Sequence, residues 1–382
     1  MKSIVNGRIL IPDGVIDQKV LTFDQRIAEI ASEPPEEAEI IDAKGCYVAP
    51  GLIDVHCHGF MGWDTSRADL SDLRNMCAHL VRNGVTSWLP TTLTLPWPEL
   101  EKCFTAIREV MRESALPEWR GGAQVLGCHA EGPFISPRRK GAQREEYIQR
   151  PDPRRIKPWA SVIRLITVAP EVDGALDFIR AARRMGIAVS MGHSDATAEQ
   201  AFAAIEAGVT HVTHTFNAMA PLNHHNPGLV GAALNDDRVY CELIADGLHV
   251  SPLLLPLMAR LKLHRLVLIT DSIQSAGMPE GVYDQLGVQI RMEGEYCRLM
   301  DGTLAGSTLT MDKAVRNFVR FSGIPMWRAV NMASLYPARA IGMDDRKGAL
   351  QRGKDADIVI ADRHFNIRAT FVGGACVYKA ES

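Results

Sequence analysis

The sequence predicts an α/β fold: a (β/α)8 TIM-like barrel with a small β-sandwich formed by both chain termini. Three observations lead there. Eight apolar segments alternate with amphipathic helical stretches between residues 51 and 345. Short β-like runs punctuated by glycine, proline and asparagine occupy both ends, 1–50 and 346–382. The histidines and acids suited to chemistry fall at the ends of the apolar segments.

From the N-terminus, the runs SIVNGRIL, VLTFDQRIAEI and AEIIDAKGCYVAP are separated by Asn6-Gly7, Pro12-Asp13-Gly14 and Pro34-Pro35. The last stretch repeats this character, broken at Gly348, Gly353, Gly373 and Gly374. The two ends of a chain flanking one barrel must lie close in space, so they can pack as a single sandwich. The eight barrel strands are expected at Leu52–His58, Ser87–Pro90, Val125–Glu131, Val162–Ala169, Ile187–His193, Thr210–His214, Tyr240–Asp246 and Arg265–Asp271. Continuous apolar runs such as RLVLITD suit parallel strands covered on both faces. Between them, LSDLRNMCAHLVRNG and ATAEQAFAAIEAG read as helices, the second closing on a glycine. Eight such units make a closed barrel the economical arrangement, with an open doubly wound sheet as the lesser alternative. The chain has 382 residues, enough for a barrel of ~250 plus an attachment.

Bulk properties narrow the partners. A net charge of −3 points to neither nucleic acid nor an anionic membrane surface. The start MKSIVNGRIL lacks a signal-peptide core, and no run approaches the ~18 apolar residues of a membrane span. Eight cysteines (Cys46, Cys57, Cys77, Cys103, Cys128, Cys241, Cys297 and Cys376) contain no C-x-x-C pair, which reads as reduced thiols in a cytoplasmic protein.

Position carries the functional argument. The first strand ends in His56-Cys57-His58, the third in His129-Ala130-Glu131, and the fifth in His193. The sixth ends in His214, the seventh in Asp246 with His249 beyond, and the eighth in Asp271. In a β/α barrel these ends meet at one mouth, where such folds keep their chemistry. Alternate residues on a strand share a face, so His56 and His58 point inward together. Imidazole and carboxylate donors suit Zn²⁺ or another first-row divalent ion, which polarises carbonyls and acidifies water. Asp271 is then the natural general base, although an aspartate before Ser-Ile also makes a fair helix N-cap.

The phrases PGLIDVHCHG, HAEGPF, GHSDAT, THTFNAM, ADGLHV, GTLAGSTLTM and YPARAIG, in that order, resemble the amidohydrolase superfamily. More narrowly they resemble N-acetylglucosamine-6-phosphate deacetylases, with the galactosamine branch suggested by ITDSIQSAGMPEG. The resemblance implies Glu131, His193 and His214 as ligands of a principal metal ion. It implies His56 and His58 as ligands of a second, with Glu131 bridging. The ion would be zinc, or alternatively Fe²⁺, Co²⁺ or Mn²⁺. Asp271 matches the acid/base residue; Asn217, Ala218, Leu304, Ala305 and Gly306 match sugar-contacting positions; His249 matches a substrate-reaching histidine. The implied substrate is a phosphorylated amino sugar that loses its acetyl group, and the implied assembly is a homodimer or homotetramer.

Two positions depart from the family pattern. Ala142-Gln143 stands where a histidine can polarise the acetyl carbonyl, and the glutamine amide can still donate a hydrogen bond there. His225 stands where the family places a phosphate-gripping arginine, often across a subunit interface, and histidine is no bidentate clamp. Arg138, Arg139 and Lys140 then either compensate or form a solvated basic loop. The alternatives are a deacetylase of N-acetylgalactosamine 6-phosphate or of an unphosphorylated acetamido sugar. More remote are a D-aminoacylase or cyclic-amide hydrolase and a non-catalytic scaffold.

Overall fold

A computed structural model describes residues 1–381. All eight expected barrel strands are present, numbered here β1 (Leu52–Cys57), β2 (Val85–Thr92), β3 (Cys128–Glu131), β4 (Ile163–Val168), β5 (Ala188–Met191), β6 (His211–Val212), β7 (Tyr240–Ile244) and β8 (Leu266–Ile269). Each pairs in parallel with the next. The ring closes where Asp271 N donates to His56 O at 2.9 Å and His58 N donates to Ser272 O at 2.9 Å. That parallel seam between β1 and β8 excludes the open-sheet alternative.

The strands are buried along nearly their whole length, as their apolar runs require. Several end earlier than the sequence suggests. The β6 ladder covers only His211–Val212, and His214 just beyond it takes a left-handed φ of 29°. The helices follow their local signals. Thr197 and Gln200 form a reciprocal capping box at the start of Ala198–Ala207, which stops at Gly208. Asp69 caps Leu70–Leu80, and the chain leaves that element at Gly84, φ 79°.

Both termini meet in one mixed sheet. Its order runs Ala375–Lys379, Ile367–Val372, Ile358–Ala361, Tyr47–Pro50, Lys2–Ile11, Gly14–Phe23, Ile27–Ala31, with Glu39–Asp42 added in parallel to the first strand of the chain. Phe23 and Phe371 stand four strands apart in that order, ~19 Å on a flat sheet. Their ring centroids nevertheless lie 5.7 Å apart. The sheet therefore folds over itself and encloses a separate core of Ile4, Ile9, Leu21, Phe23, Val48, Ile358 and Phe371.

One element was not foreseen. After β8 the chain forms an antiparallel meander, Gly281–Gln285, Val288–Glu293 and Tyr296–Leu299, which packs Ile290, Met292 and Cys297 against Ile273 and Ala305. Its signal was present as the strict alternation of VQIRME, whose burial alternates in step. Among the described residues all eight cysteines are free thiols, six of them buried, and no helix is long and apolar enough to cross a membrane.

The seam between the termini is testable at Gly374. This residue holds φ 77°, its N–H donates to Ala356 O, and its carbonyl accepts from Lys2 Nζ. A Cβ there would overlap the Asp24 carbonyl. Gly374→Ala should lower unfolding stability by ~2–4 kcal/mol, the sum of left-handed strain and overpacking. Urea denaturation checks this; an unchanged midpoint would show that the seam yields freely.

Candidate active site

The barrel mouth collects the histidines and acids as the strand ends imply. His56 lies within β1 and Glu131 is the last residue of β3, while His58, His193, His214 and Asp271 lie one or two residues beyond their strands. Three of these adopt left-handed backbone conformations: His193 (φ 46°), His214 (φ 29°) and Asp271 (φ 50°). Such residues usually sit where surrounding structure over-determines them, at ~1–3 kcal/mol each. Here Ser136 N donates to His193 O, Ser307 N donates to Asp271 O, and His214 N donates to Glu242 Oε2. Asp271 caps no helix, since the next one begins at Met311.

Glu131, 2% exposed, is the hub. Its Oε1 lies 3.1 Å from His193 Nε2, 3.0 Å from His214 Nε2 and 3.4 Å from His56 Nε2; Oε2 lies 3.3 Å from His58 Nε2. Two triplets share it, His56–His58–Glu131 and Glu131–His193–His214. The opposite ring nitrogens identify the tautomers. His56 Nδ1 donates to Glu242 Oε2 (3.0 Å), His58 Nδ1 to Thr91 O (3.1 Å) and His193 Nδ1 to Arg139 O (2.9 Å). In its neutral form each of these rings points a bare Nε2 at the cluster. Yet Nε2 of His56 and His58 are 3.2 Å apart, and those of His193 and His214 3.1 Å. Facing lone pairs at that distance repel unless a cation lies between them. Tetrahedral coordination with bonds of ~2.0–2.1 Å spaces donors by ~3.3 Å. The donor set and its spacing fit a divalent metal ion.

The electrostatics agree. Burial opposes charge on His56, but the carboxylates of Glu131 and Asp271 overcome it and raise its pKa well above the usual value. Burial likewise opposes charge on Glu131, and His56 and His193 hold it well below the carboxylate range. A metal ion satisfies the same carboxylates while displacing protons from the rings. Asp271 Oδ1 stands 3.4 Å from His56 Nε2 and 3.3 Å from His58 Nε2; despite burial these rings keep its pKa low.

A cavity of about 330 Å³ opens over this cluster. His58, Glu131, Ala142, Gln143, His193, His214, Asn217, Ala218, His249, Asp271, Leu304, Ala305 and Gly306 all line it. Gln143 is oriented: its Oε1 accepts from Thr94 N (2.8 Å), which turns the NH₂ onto Glu131 Oε2 (2.6 Å). His249 Nδ1 pairs with Asp246 Oδ2 at 2.6 Å; burial lowers the ring's pKa, and the carboxylate more than reverses this.

The structure does not bring His225 to this cavity. Its N–H donates to Asn223 Oδ1 in an exposed loop, and its ring rests 4.0 Å from that of His224. Arg138 and Arg139 do not line the cavity and pair instead with Asp195, at 3.7 and 2.8 Å. Sequence reasoning missed four contributors. Arg144 is the single arginine or lysine lining the cavity among the described residues, resting 4.6 Å over Tyr147. Gln285 and Leu286 of the meander close the far wall. Glu242, behind His56, lies mid-strand in an apolar run that gave no functional signal.

The comparisons with known proteins agree with this geometry. The chain matches the Amidohydrolase family over residues 47–377. It is 38% identical over 375 residues to an N-acetylgalactosamine-6-phosphate deacetylase of Escherichia coli O157:H7, covering 96% of this chain and 97% of that one. It is also 38% identical over 361 residues to the N-acetylglucosamine-6-phosphate deacetylase of Bacillus subtilis (strain 168), covering 92% and 90%. A solved Mycobacterium smegmatis N-acetyl-D-glucosamine-6-phosphate deacetylase variant, in complex with N-acetyl-D-glucosamine-6-phosphate, superposes with a TM-score of 0.90 at 31% identity, covering 98% and 99%. This chain belongs to the amidohydrolase family, within its N-acetylglucosamine-6-phosphate deacetylase group.

Proposed function

We propose that the protein hydrolyses the acetamide of N-acetylglucosamine 6-phosphate, releasing acetate and glucosamine 6-phosphate. One observation carries this reading. Asp271 Oδ1 lies 3.4 Å from His56 Nε2 and 3.3 Å from His58 Nε2, and Asp271 and His58 both line a cavity. Its volume, about 330 Å³, falls in the range of small-ligand pockets.

The residues divide the work. His56, His58, Glu131, His193 and His214 hold one or two divalent ions, zinc foremost, with Fe²⁺, Co²⁺ or Mn²⁺ as alternatives. Bound there, the cation supplies Lewis acidity toward the amide carbonyl and toward water. Asp271 enters ionised, takes a proton from the attacking water on its carboxylate, and returns it to the departing nitrogen. Gln143 spends one N–H on Glu131 and offers the other to the carbonyl oxygen, where charge develops. Ala142, Asn217, Ala218, Leu304, Ala305 and Gly306 wall the sugar.

The phosphate calls for positive charge at the mouth. His249, whose Asp246 partner favours the protonated ring, and Arg144 are the groups placed to supply it. His225, exposed and outside this cavity, is available to a neighbouring subunit of a homodimer or homotetramer. A second reading, deacetylation of the galactosamine epimer, stands beside it, because the chain is 38% identical to a relative of each kind. Comparing kcat/KM on the two epimers separates them.

Three outcomes follow. The metal-replete protein should carry more than one ion equivalent by elemental analysis, chelation should abolish turnover, and His56→Gln with His58→Asn should remove one equivalent. Full turnover in verified metal-free protein would end the mechanism. Asp271→Asn should lower kcat by ~10²–10⁴-fold while substrate still binds. A near-normal kcat would leave Asp271 a structural role only.

The phosphate is tested on phosphorylated and free sugar side by side. Arg144→Gln should raise KM for the phosphorylated sugar by ~10–100-fold, the worth of one charge-assisted hydrogen bond, and leave the free sugar unaffected. His225→Arg should keep or improve kcat/KM for the phosphorylated sugar. A native preference for the free sugar, with His225→Arg depressing its turnover, would place the protein among enzymes that do not use the phosphate.

A further inference from the structure

Glu242 is fully buried on β7, and no step of the proposed hydrolysis uses it. A buried carboxylate persists where partners compensate it. Among the described residues its salt-bridge partner is His56 alone, with Nδ1 3.0 Å from Oε2. The same Oε2 accepts from the backbone N–H of His214 at 3.2 Å. Glu242 O in turn accepts from Thr215 N at 2.9 Å. Oε1 is buried without a partner, and so is His214 Nδ1. His129 packs edge-on against His56, centroids 4.6 Å apart, but its nitrogens are committed to Val55 O and Thr167 Oγ1. It is therefore neither a ligand nor a competitor for Glu242.

These contacts straddle the metal cluster. His56 belongs to one triplet and His214 to the other. We propose that Glu242 is a positioning residue shared by both ion sites. It keeps the proton of His56 on Nδ1, which leaves Nε2 bare for an ion. It also clamps the His214 backbone at φ 29°, the conformation that turns this ring inward. His58 and His193 have backbone acceptors of their own, Thr91 O and Arg139 O, so Glu242 is the link between the two halves besides Glu131 itself.

The inference rests on the metal reading above, and its test separates the two. Zn²⁺ and Co²⁺ stoichiometry and affinity are measured by chelator competition on metal-stripped protein, together with the visible spectrum of the Co²⁺ form. Glu242→Gln keeps the size but weakens the hold on His56 Nδ1–H. Both ions should bind ~10–100-fold more weakly, and the Co²⁺ bands should shift. Glu242→Asp keeps the charge one methylene short and should weaken both sites as well, which serves if the glutamine variant does not fold. Wild-type affinities and spectrum in either folded variant would overturn the proposal; weakening of one equivalent alone would overturn the shared role. A crystal structure of the zinc-loaded wild type reads the claim without any variant. It should show both rings ligating through Nε2, with Glu242 Oε2 still bonded to His56 Nδ1 and His214 N. Ligation through Nδ1, or a displaced Glu242, overturns it. Failure of the wild type to bind any divalent ion would instead remove the metal reading itself.

Discussion

The arrangement turns on one buried carboxylate. Glu131 lies within 3.0–3.4 Å of four imidazole nitrogens, three of them on rings whose other nitrogen is committed to a hydrogen bond on the far side. Such a concentration of lone pairs in a low-dielectric interior is costly until positive charge enters it. The rest of the mouth can be understood as scaffolding for that site. Backbone strain at His193, His214 and Asp271 is held by hydrogen bonds from neighbouring loops and strands.

The closing seam of the barrel sets the second relationship the chemistry needs. His56 and His58 come from the first strand and Asp271 from the last, so only ring closure brings them together. Asp54 ties this seam. Its carboxylate accepts from Thr270 Oγ1 at 2.6 Å and from His56 N at 3.2 Å. Burial raises its pKa to about 6, a shift that those hydrogen bonds limit. Asp54, Thr270 and Ser272 thus fix the base relative to the first-strand pair, with Cys57 Sγ lying 3.2 Å from Ser272 Oγ.

The substrate side is assembled differently. Basic residues close in sequence have divergent fates: Arg138 and Arg139 are paired with Asp195, while Arg144 pairs with Glu146 at 2.6 Å and lines the cavity beside Leu286 O. The carbonyl of Arg139 meanwhile orients His193. One loop thus serves the metal cluster through its backbone and the cavity through a side chain a few residues on. The meander after β8 supplies the opposite wall, so pocket shape depends on segments outside the repeating βα pattern.

Much of this was legible in the sequence, because the barrel converts linear position into spatial position. Parallel strands share a direction, so residues at their C-terminal ends must meet; strand ends alone collected His56, His58, His129, Glu131, His193, His214, Asp246 and Asp271, and the family resemblance singled out the five implied ligands and Asp271 among them. The meander was legible too, in the alternation of VQIRME, but it breaks the βα rhythm and was passed over. What remained hidden depends on side-chain direction and long-range pairing, neither of which has a local signature. Glu242 lies mid-strand among apolar residues, and its role exists only because β7 places it behind β1. Arg144 differs from Arg138 and Arg139 by which neighbour takes its charge, and His225 by a loop that turns outward. The sequence by itself determined the barrel, which follows from periodicity and strand polarity, and through its family resemblance it implied the donor set. Only the tertiary structure decided which nitrogens are bare, which cations face the cavity and which carboxylate lies behind the ligands, because those depend on distances of a few ångströms between residues far apart in the chain.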